Sequence, residues 1–454
     1  MGEGNIQRDS RILIVGAGPA GLCTAVYLKN AGFKHVQVFE KSPRLGGKCR
    51  SLTVDGQSFD LGANYITSAY KRVRELAAHV GAGMYTERAG HTINVGNGQL
   101  QSILSFVLTK TTFFKLAWQA LRYIVIRWRF RKLLTPAQPG FAHVPEHPEL
   151  QGSFDDWLIK HDLDALRIMF KIPLTLMGYG DLKEIAAVYG LSYMSLGSFK
   201  DLGLFAANMP LRQWPKRFNQ GYGRMFERLA AEVDVLTGVT IGTITRGDEI
   251  KVEYRLLEQE LEREEGYPET ATYDYLVLAC PQLPGVLDFM DLSDEEQRLF
   301  KQVLINPFFV STYIAPGTEE VAAVSFSLPQ PEEGQPYVVT RQFPDNDFIS
   351  IYTRGDREGK ITREVVEHNN MRFLREIGAK DPKKHSFTVD DWAYFPHVPV
   401  EAVDKGFYTE LDGLQGTNRT FYCGGLLAFE LVETIAEHAH SLVKNHFVGE
   451  PKKK

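Results

Sequence analysis

Residues 11–22 read RILIVGAGPAGL, an apolar run that passes directly into a glycine-rich turn. The pattern predicts a buried strand at Ile12–Val15 and a helix from Leu22 to Asn30. Three glycines with GxGxxG spacing lie between them: Gly16, Gly18 and Gly21. The first allows a tight turn, the second lets backbone approach a pyrophosphate, and the third lets the helix pack closely on the strand. The stretch therefore predicts a dinucleotide-binding unit.

The residues around this turn extend the predicted site. Pro19 and Ala20 lie in the turn just before the predicted helix, whose N-terminal backbone N–H groups attract phosphate. Glu40 closes the next apolar stretch, VQVFE, about 20 residues further on, where an acid can bind a ribose hydroxyl. Lys41 follows it directly. A glycine turn in an ordinary parallel sheet is the alternative, but it leaves the acid at the end of the strand unexplained.

Two further stretches suit a nucleotide with an attached ring. Residues 44–48 read RLGGK, in which Gly47 lets the backbone lie against a diphosphate while Arg44 and Lys48 supply positive charge. Taken by itself, RLGGK is also typical of a surface turn. A predicted strand at residues 59–61 then ends in small residues, which permit a flat ring to stack against the backbone: Gly62, Ala63 and Asn64.

Composition sets the limits on class. A chain of 454 residues is too long for one ordinary core, so at least two domains are expected. The net charge of −5 does not favour a nucleic-acid partner. The four cysteines have neither metal-type spacing nor a disulfide framework, which predicts no metal site and a reducing compartment. Since the first ten residues do not resemble a signal peptide, the expected location is the cytoplasm.

Residues 101–134 are apolar, aromatic and basic at once, and they allow two interpretations. The first is a helix of a second domain, with its basic side in solvent and its apolar side closing a pocket. The second is a basic amphipathic helix that makes a peripheral contact with an anionic membrane. We expect the first, so the apolar side is predicted to face inward.

Aromatic residues follow in two groups. Ser153 is predicted to cap a helix, and the patterning after it contains Tyr189, Tyr193, Met194 and Phe199, some of which could line a tunnel. A second aromatic stretch, residues 391–397, contains Tyr394. Near the end, NRTFYCGG predicts a strand ending at Gly424 and Gly425, followed by a helix from Leu431 that includes Val432.

The ordered glycine motifs resemble the FAD-binding half of the flavin-containing amine oxidase superfamily. The resemblance implies an α/β fold with an α+β insert: a Rossmann-like FAD-binding domain with an interleaved substrate-binding domain. The expected FAD-binding segments are 1–85, 210–290 and 400–454, and the expected substrate-binding segments are 86–209 and 291–399, with a helical portion. The resemblance also implies that the Val239 backbone contacts the adenine end of FAD. Lys48 stands where arginine is commoner, and Gly425 replaces an acid.

The same resemblance narrows the chemistry. Superfamily oxidases commonly place a lysine near the flavin on a strand that aligns with residues 306–314, and this sequence has none there. Some members bind the flavin through a cysteine in a loop that aligns with residues 400–408. That loop has no cysteine, so FAD is expected to bind non-covalently.

Over almost the whole length the sequence is most similar to polyunsaturated fatty acid double-bond isomerases of this superfamily. YFPHV at residues 394–398 and GLQG at residues 413–416 carry that similarity. In those enzymes the flavin takes a hydride from an allylic carbon and returns it elsewhere. The candidate substrate residues are Tyr394, Phe429, Phe218 and Arg88, with Arg212 and Arg224 as further candidates for a carboxylate anchor.

Three alternatives stay open from the sequence. An amine oxidase or dehydrogenase of a hydrophobic substrate would use the same FAD half, with Tyr394 and Phe429 flanking the substrate nitrogen. A desaturase is favoured if residues 101–136 contact a membrane. A non-enzymatic flavin module would require a pocket filled by side chains. The exact substrate and the oligomeric state are not predicted.

Overall fold

The structure is a computed structural model that describes residues 6–87, 91–94, 99–135, 140–207, 209, 213–257, 268–321, 324–327, 330–385 and 390–449. Its strands are β1 Arg11–Val15, β2 His35–Glu40, β3 Ser51–Val54, β4 Gln57–Asp60, β5 Met84–Thr86, β6 His91–Asn94, β7 Leu100–Ser102, β8 Lys216–Phe218, β9 Asp234–Thr237, β10 Val239–Arg246, β11 Ile250–Leu256, β12 Glu269–Tyr273, β13 Tyr275–Leu278, β14 Leu304–Ile314, β15 Val324–Ser327, β16 Pro336–Thr340, β17 Phe348–Arg354, β18 Lys383–Lys384, β19 Asp390–His397 and β20 Thr420–Tyr422.

The α-helices are α1 Pro19–Asn30, α2 Lys71–His79, α3 Ile103–Leu108, α4 Phe113–Arg129, α5 Phe154–Lys160, α6 Arg167–Lys171, α7 Ala187–Tyr193, α8 Leu196–Ala206, α9 Gly221–Ala230, α10 Asp294–Phe300, α11 Arg363–Glu376, α12 Val400–Asp404, α13 Phe407–Gly413, α14 Gly425–Ala428 and α15 Val432–Leu442. Within the described part of the chain, no helix combines the length and the apolar character needed to cross a bilayer.

A five-stranded parallel sheet organises the first half of the fold, in the order β20-β13-β1-β2-β9. Its central strand β1 is apolar and fully buried at Ile12, Leu13 and Ile14, as expected for a parallel strand covered on both faces. Helix α1 begins at Pro19 rather than at the predicted Leu22, because Gly18 is the extended N-cap and proline suits the first helical position. The α/β class predicted from the sequence is therefore confirmed.

Two other predicted elements form as the sequence indicated. Strands β10 and β11 pair antiparallel around the turn at residues 247–249, and β12 adds a third strand. The Ser153 hydroxyl accepts a hydrogen bond from the Asp156 backbone N–H at 3.1 Å, so it caps α5 as predicted.

An eight-stranded sheet organises the second half, in the order β18-β14-β17-β16-β15-β6-β7, with β19 also paired to β14. In the β14–β19 register, Phe308 lies opposite Trp392 and Asn306 lies opposite Tyr394. The pairing brings the aromatic stretch of β19 back beside the first sheet. The five-stranded sheet takes its strands from the segments predicted to bind FAD, and the eight-stranded sheet from the other two. Strand β5 straddles the predicted boundary at residue 85.

Candidate active site

A cavity of about 790 Å³ opens at the carboxyl ends of the parallel strands. Ligands of open α/β sheets bind at these ends, because loops and helix N-termini converge there. The predicted cofactor residues that line the cavity are Gly16, Gly18, Pro19, Ala20, Glu40, Lys41, Arg44, Gly47, Lys48, Gly62, Ala63, Asn64, Val239, Gly424, Gly425 and Val432. The structure thus brings together residues from five separate stretches of sequence.

Gly21 is the predicted cofactor residue that does not line the cavity. A Cβ at this position would lie 1.9 Å from the Gly16 carbonyl oxygen, so glycine is needed for α1 to approach β1. Gly16 itself has φ +106°, which side chains rarely adopt, and its Cβ would approach the backbone of Ala279. Gly21 therefore acts by letting α1 pack closely against β1, and it does not contact the cavity.

The Glu40 carboxylate is held at the end of β2 by backbone donors. One oxygen accepts from the Ala17 N–H at 2.7 Å and the other accepts from the Ser42 N–H at 2.9 Å. An ionised carboxylate has about four acceptor positions, so these two bonds orient it and leave capacity for ribose hydroxyls. This geometry fits the dinucleotide that the glycine motif predicted.

Lys48 has a further set of contacts that the sequence did not indicate. Its ammonium donates to the Glu430 carboxylate and to the Ala393 carbonyl, and lies 5.6 Å from the centre of the Tyr394 ring. Glu430 also accepts from the Phe395 N–H, so one acid ties Lys48 to β19. A Cβ at Gly425 would lie 3.1 Å from the Glu430 Cβ. An acid thus lies next to Gly425, although the sequence motif lacks one.

Several tyrosines line the cavity, and three of them, here called the aromatic wall, lie close together: Tyr179, Tyr193 and Tyr394. The Tyr179 ring lies 5.2 Å from Tyr394 and stacks at 4.9 Å on Phe429. Phe429 is 1 % exposed and does not line the cavity, so the predicted pairing of Tyr394 with Phe429 is wrong. Tyr179 lies between them, and no sequence pattern marked it, because GYGD reads as an ordinary turn.

The remaining substrate candidates lie elsewhere. Phe218 packs edge-on against Tyr222 at 4.7 Å in the core below the cavity, so its prediction as a substrate residue is wrong. The Arg224 guanidinium is exposed, pairs with Glu227, and does not line the cavity. Arg88 and Arg212 lie outside the described residues.

Residues between 103 and 206, together with the eight-stranded sheet, supply an uncharged part of the lining. Its apolar members are Ile103, Met169, Ile172, Pro173, Met177, Met194, Phe199, Leu202, Ala206, Phe308, Val324 and Phe326. Of the tunnel candidates, Tyr193, Met194 and Phe199 line the cavity, whereas Tyr189 packs outside it with its hydroxyl 2.6 Å from that of Tyr408. Among the described lining residues, the cations are Lys41, Arg44 and Lys48, which all lie on the first sheet's side.

Helix α4 is oriented opposite to the prediction. None of its residues lines the cavity, and most of its large apolar side chains point to solvent, with Phe114 84 % exposed, although Tyr123 and Ile126 are buried. Helix α8 forms the cavity wall instead, through Phe199, Leu202 and Ala206. Of the segment predicted to close the pocket, residues 101–134, Ile103 lines the cavity, but helix α4 does not.

Burial sets the protonation of the aromatic wall. It raises the pKa of Tyr179 and Tyr394 well above 10, so both phenols stay protonated at neutral pH. The Tyr179 hydroxyl donates to the Glu430 carbonyl at 3.1 Å, which fixes the ring against the cavity. These residues therefore present stable aromatic surfaces rather than acids or bases.

The chemistry of the site fits FAD. Residues around the GxGxxG turn and Glu40 suit an adenosine diphosphate, and the small residues at 62–63 leave room for a flat ring beside Trp392. A Cβ at Gly62 would lie 1.8 Å from the Lys48 carbonyl oxygen and 3.2 Å from Trp392. Among the described residues, no cluster of three or more His, Cys, Asp or Glu side chains could hold a metal ion.

Comparison with known proteins gives the class. The profile of the flavin-containing amine oxidoreductase family matches residues 19–401, so the chain belongs to that family. The protein is accordingly an FAD-dependent enzyme with the amine oxidase fold. The superfamily resemblance predicted from the sequence is confirmed.

Full-length relatives differ in their reactions. A CLA-producing fatty acid isomerase from P. acnes is 25 % identical, with a TM-score of 0.81 over 98 % of this chain and 100 % of that one. The FAD-dependent oxidoreductase dpchF of Colletotrichum higginsianum is 24 % identical over 444 residues, covering 93 % of this chain and 90 % of that protein. Beta-cyclopiazonate dehydrogenase of Aspergillus flavus is 24 % identical over 455 residues, with 93 % and 89 % covered.

Proposed function

We propose that the protein moves a double bond along a polyunsaturated fatty acid without net oxidation, forming a conjugated diene. The observation that carries the proposal is the uncharged lining beside the FAD cradle. Phe199, Leu202 and Phe326 exemplify this lining, which suits a hydrocarbon chain. The structural likeness to the CLA-producing isomerase over nearly the whole chain supports the same choice.

The chain's own residues would orient the substrate and exclude water. Tyr179 and Tyr394 present their rings to the cavity and stay protonated, so they add no charge near a reacting C–H bond. The Lys48 ammonium pairs with the Glu430 carboxylate, so the two together add no net charge beside the substrate. FAD, when bound, supplies a reversible two-electron acceptor. A dry apolar lining keeps the substrate from competing reactions with water.

The absence of a lysine from β14 supports a reaction that needs no oxygen. All residues of this strand are described, and Phe308, stacked at 5.3 Å on Tyr394, contributes to the lining there. In the superfamily's oxidases that strand commonly carries a lysine near the flavin. A redox-neutral isomerisation consumes no oxidant, so it fits a lining without that group.

The test is an anaerobic incubation of the FAD-loaded protein with linoleate. We expect a rise in the ultraviolet absorbance of a conjugated diene over many turnovers, with the flavin spectrum oxidised at the end. Oleate is the matched control, because it has no carbon between two double bonds and cannot yield a conjugated diene by one shift.

Two results would overturn the proposal. One is bleaching of the flavin by linoleate in a single turnover, with peroxide formed after air is admitted, which would identify an oxidase or dehydrogenase. The other is no change with any polyunsaturated fatty acid while a hydrophobic amine bleaches the flavin. That second result would favour the amine oxidase alternative.

A further inference from the structure

Helix α4 carries a continuous apolar face that points into solvent. The side chains that form it, here called the α4 apolar face, are Phe113, Phe114, Trp118, Leu121, Val125 and Trp128. Phe114 is 84 % exposed and Trp118 is 64 % exposed. At about 100° per residue, the positions from Phe114 to Trp128 follow one another at steps of three and four, which places them on one side of the helix. Large aromatic side chains rarely remain in water without a partner.

The opposite side of α4 is fixed to the protein by polar contacts. The Tyr123 hydroxyl donates to the Met194 carbonyl, and the Arg127 guanidinium donates to the carbonyls of Leu191 and Leu134 at 3.0 and 2.9 Å. Gln119 donates to Asp164 and accepts from the Ala165 N–H. Rotating the helix to bury its apolar side would strand these buried groups without partners. The outward orientation is therefore built into the packing.

Positive charge surrounds the apolar face. Lys110, Arg129, Arg131 and Lys132 are exposed, and the Arg131 guanidinium lies 3.6 Å from the centre of the Trp128 ring. From residue 101 to residue 134 the sequence contains seven Lys or Arg residues and no Asp or Glu, although the whole chain has a net charge of −5. Among the residues that the structure describes, acids pair with two of these cations, as Lys115–Asp164 and Arg122–Asp162.

We propose that the α4 apolar face docks onto the surface of an anionic lipid bilayer. Aromatic and aliphatic side chains would enter the boundary between headgroups and acyl chains, and the surrounding cations would contact lipid phosphates. Charge complementarity favours lipid over a second copy of the chain, because a symmetric dimer would bring two sets of unpaired cations together. A lipid surface satisfies both the apolar face and its positive border.

Docking places the bilayer close to the cavity wall. Tyr123, on the inner side of α4, packs at 4.6 Å against Phe199, and Phe199 lines the cavity. Helices α4 and α8 thus lie between the lipid-facing surface and the candidate substrate site. Any role of this closeness in substrate supply rests on the proposed function, whereas docking itself does not.

The experiment is flotation of the FAD-loaded protein with vesicles, without any substrate. One vesicle set contains phosphatidylcholine alone, and the other contains phosphatidylcholine with phosphatidylglycerol. We expect binding to the anionic vesicles that weakens as salt rises, and a blue shift of tryptophan emission from Trp118 and Trp128. Replacing three cations, Arg129→Gln, Arg131→Gln and Lys132→Gln, is expected to weaken binding by on the order of a hundredfold.

Two variants separate the apolar contribution from folding. Phe114→Ser with Trp118→Ser is expected to weaken binding at least roughly tenfold, since both side chains are already exposed and contribute little to the folded state. The matched control, Val365→Ser with Lys360→Gln, changes an exposed apolar residue and an exposed cation away from α4 and should bind as the parent does. Thermal unfolding of each variant checks the fold.

The outcomes are distinct. Absence of anionic-vesicle binding, or equal binding by the α4 variants and the parent, overturns docking. Loss of a dimer in sedimentation velocity on Phe114→Ser with Trp118→Ser, together with no vesicle binding, would assign the face to a second copy instead. Since no turnover is measured, failure of the isomerase proposal leaves these results unaffected.

Discussion

Leu202 and Leu204 lie two residues apart on α8 but in different surroundings. Leu202 lines the cavity, whereas Leu204 is 39 % exposed. We expect Leu202→Gln to lower kcat/KM for a long-chain fatty acid by roughly ten- to a hundredfold, because the amide loses its water when the chain binds. Leu204→Gln, the same substitution at the exposed position, should leave kcat/KM unchanged. Steady-state diene formation with dissolved fatty acid and no vesicles measures both.

Equal effects of the two substitutions would contradict the assignment of α8 as the wall of the substrate site. A loss confined to Leu202→Gln, with the flavin spectrum intact, would separate substrate contact from cofactor binding. The comparison is informative because both variants keep the length and helix propensity of the segment nearly the same.

Single residues also show what a sequence can reveal about a site. Gly16, Gly18 and Glu40 were predictable, because their roles depend on spacing within one strand–turn–helix unit. Tyr179 and Glu430 were not, because each reaches the cavity through contacts between distant segments, such as Glu430 with Lys48. Phe429 was misplaced for the same reason: a neighbouring turn supplies the ring that lies in front of it.

At the scale of elements, β19 contains a histidine that makes stability depend on pH. Its Nδ1–H donates to the Phe395 carbonyl at 2.7 Å, and Nε2 of His397 accepts from Arg357 at 3.3 Å, an arrangement that requires a neutral ring. Burial lowers the pKa of His397 to about 4. Below pH 6.5 the unfolded chain binds a proton that the native state excludes, so stability falls from pH 6.5 down to about pH 4.

The expected loss from His397 between pH 7 and pH 5 is about 2 kcal/mol of unfolding free energy. His397→Gln removes the titrating group and should flatten this part of the pH profile, even if it lowers stability at pH 7. Urea unfolding at both pH values, with FAD in excess, provides the measurement. Val365→Ser, which replaces an exposed apolar residue and no titrating group, is the control, and its profile should match the parent. An unchanged slope in His397→Gln would refute this role.

For a helix, the sequence pattern leaves open which face packs against the protein. The period of residues 113–129 marks two faces, but it does not say which face packs inward. In α4 the inward face carries Gln119, Tyr123 and Arg127, whose polar groups find partners only in the folded chain. Apolar character alone therefore predicted the wrong orientation. Helix α1 was easier, because the adjoining glycines specify how it meets β1.

At the scale of the whole molecule, the cavity joins the two sheets. Gly62 and Ala63 come from the first half of the fold, and Trp392 and Tyr394 come from β19 of the second sheet. Local motifs indicated several strands of the five-stranded sheet, whereas the strand order of both sheets depends on pairings between segments up to hundreds of residues apart, such as β1 with β13 and β6 with β15. Such pairings leave little trace in local pattern. A ligand that fills the cavity should stabilise both halves together.

We therefore expect FAD to raise the unfolding temperature of the whole chain in one transition. At a free FAD concentration one hundred times Kd, the stabilisation should be about 2.7 kcal/mol. Glu40→Gln keeps one acceptor for the Ala17 and Ser42 N–H groups but weakens bonding to ribose, so we expect the FAD dependence to shift about tenfold higher in concentration. Glu227→Gln, on the exposed surface of α9, should show the same dependence on FAD concentration as the parent.

The measurement is thermal unfolding of cofactor-stripped protein, followed by circular dichroism over a series of FAD concentrations. It relies on the predicted non-covalent binding of FAD. Two separate transitions, or a Glu40→Gln curve that overlies the parent's, would contradict a cofactor that joins the two sheets through this cradle.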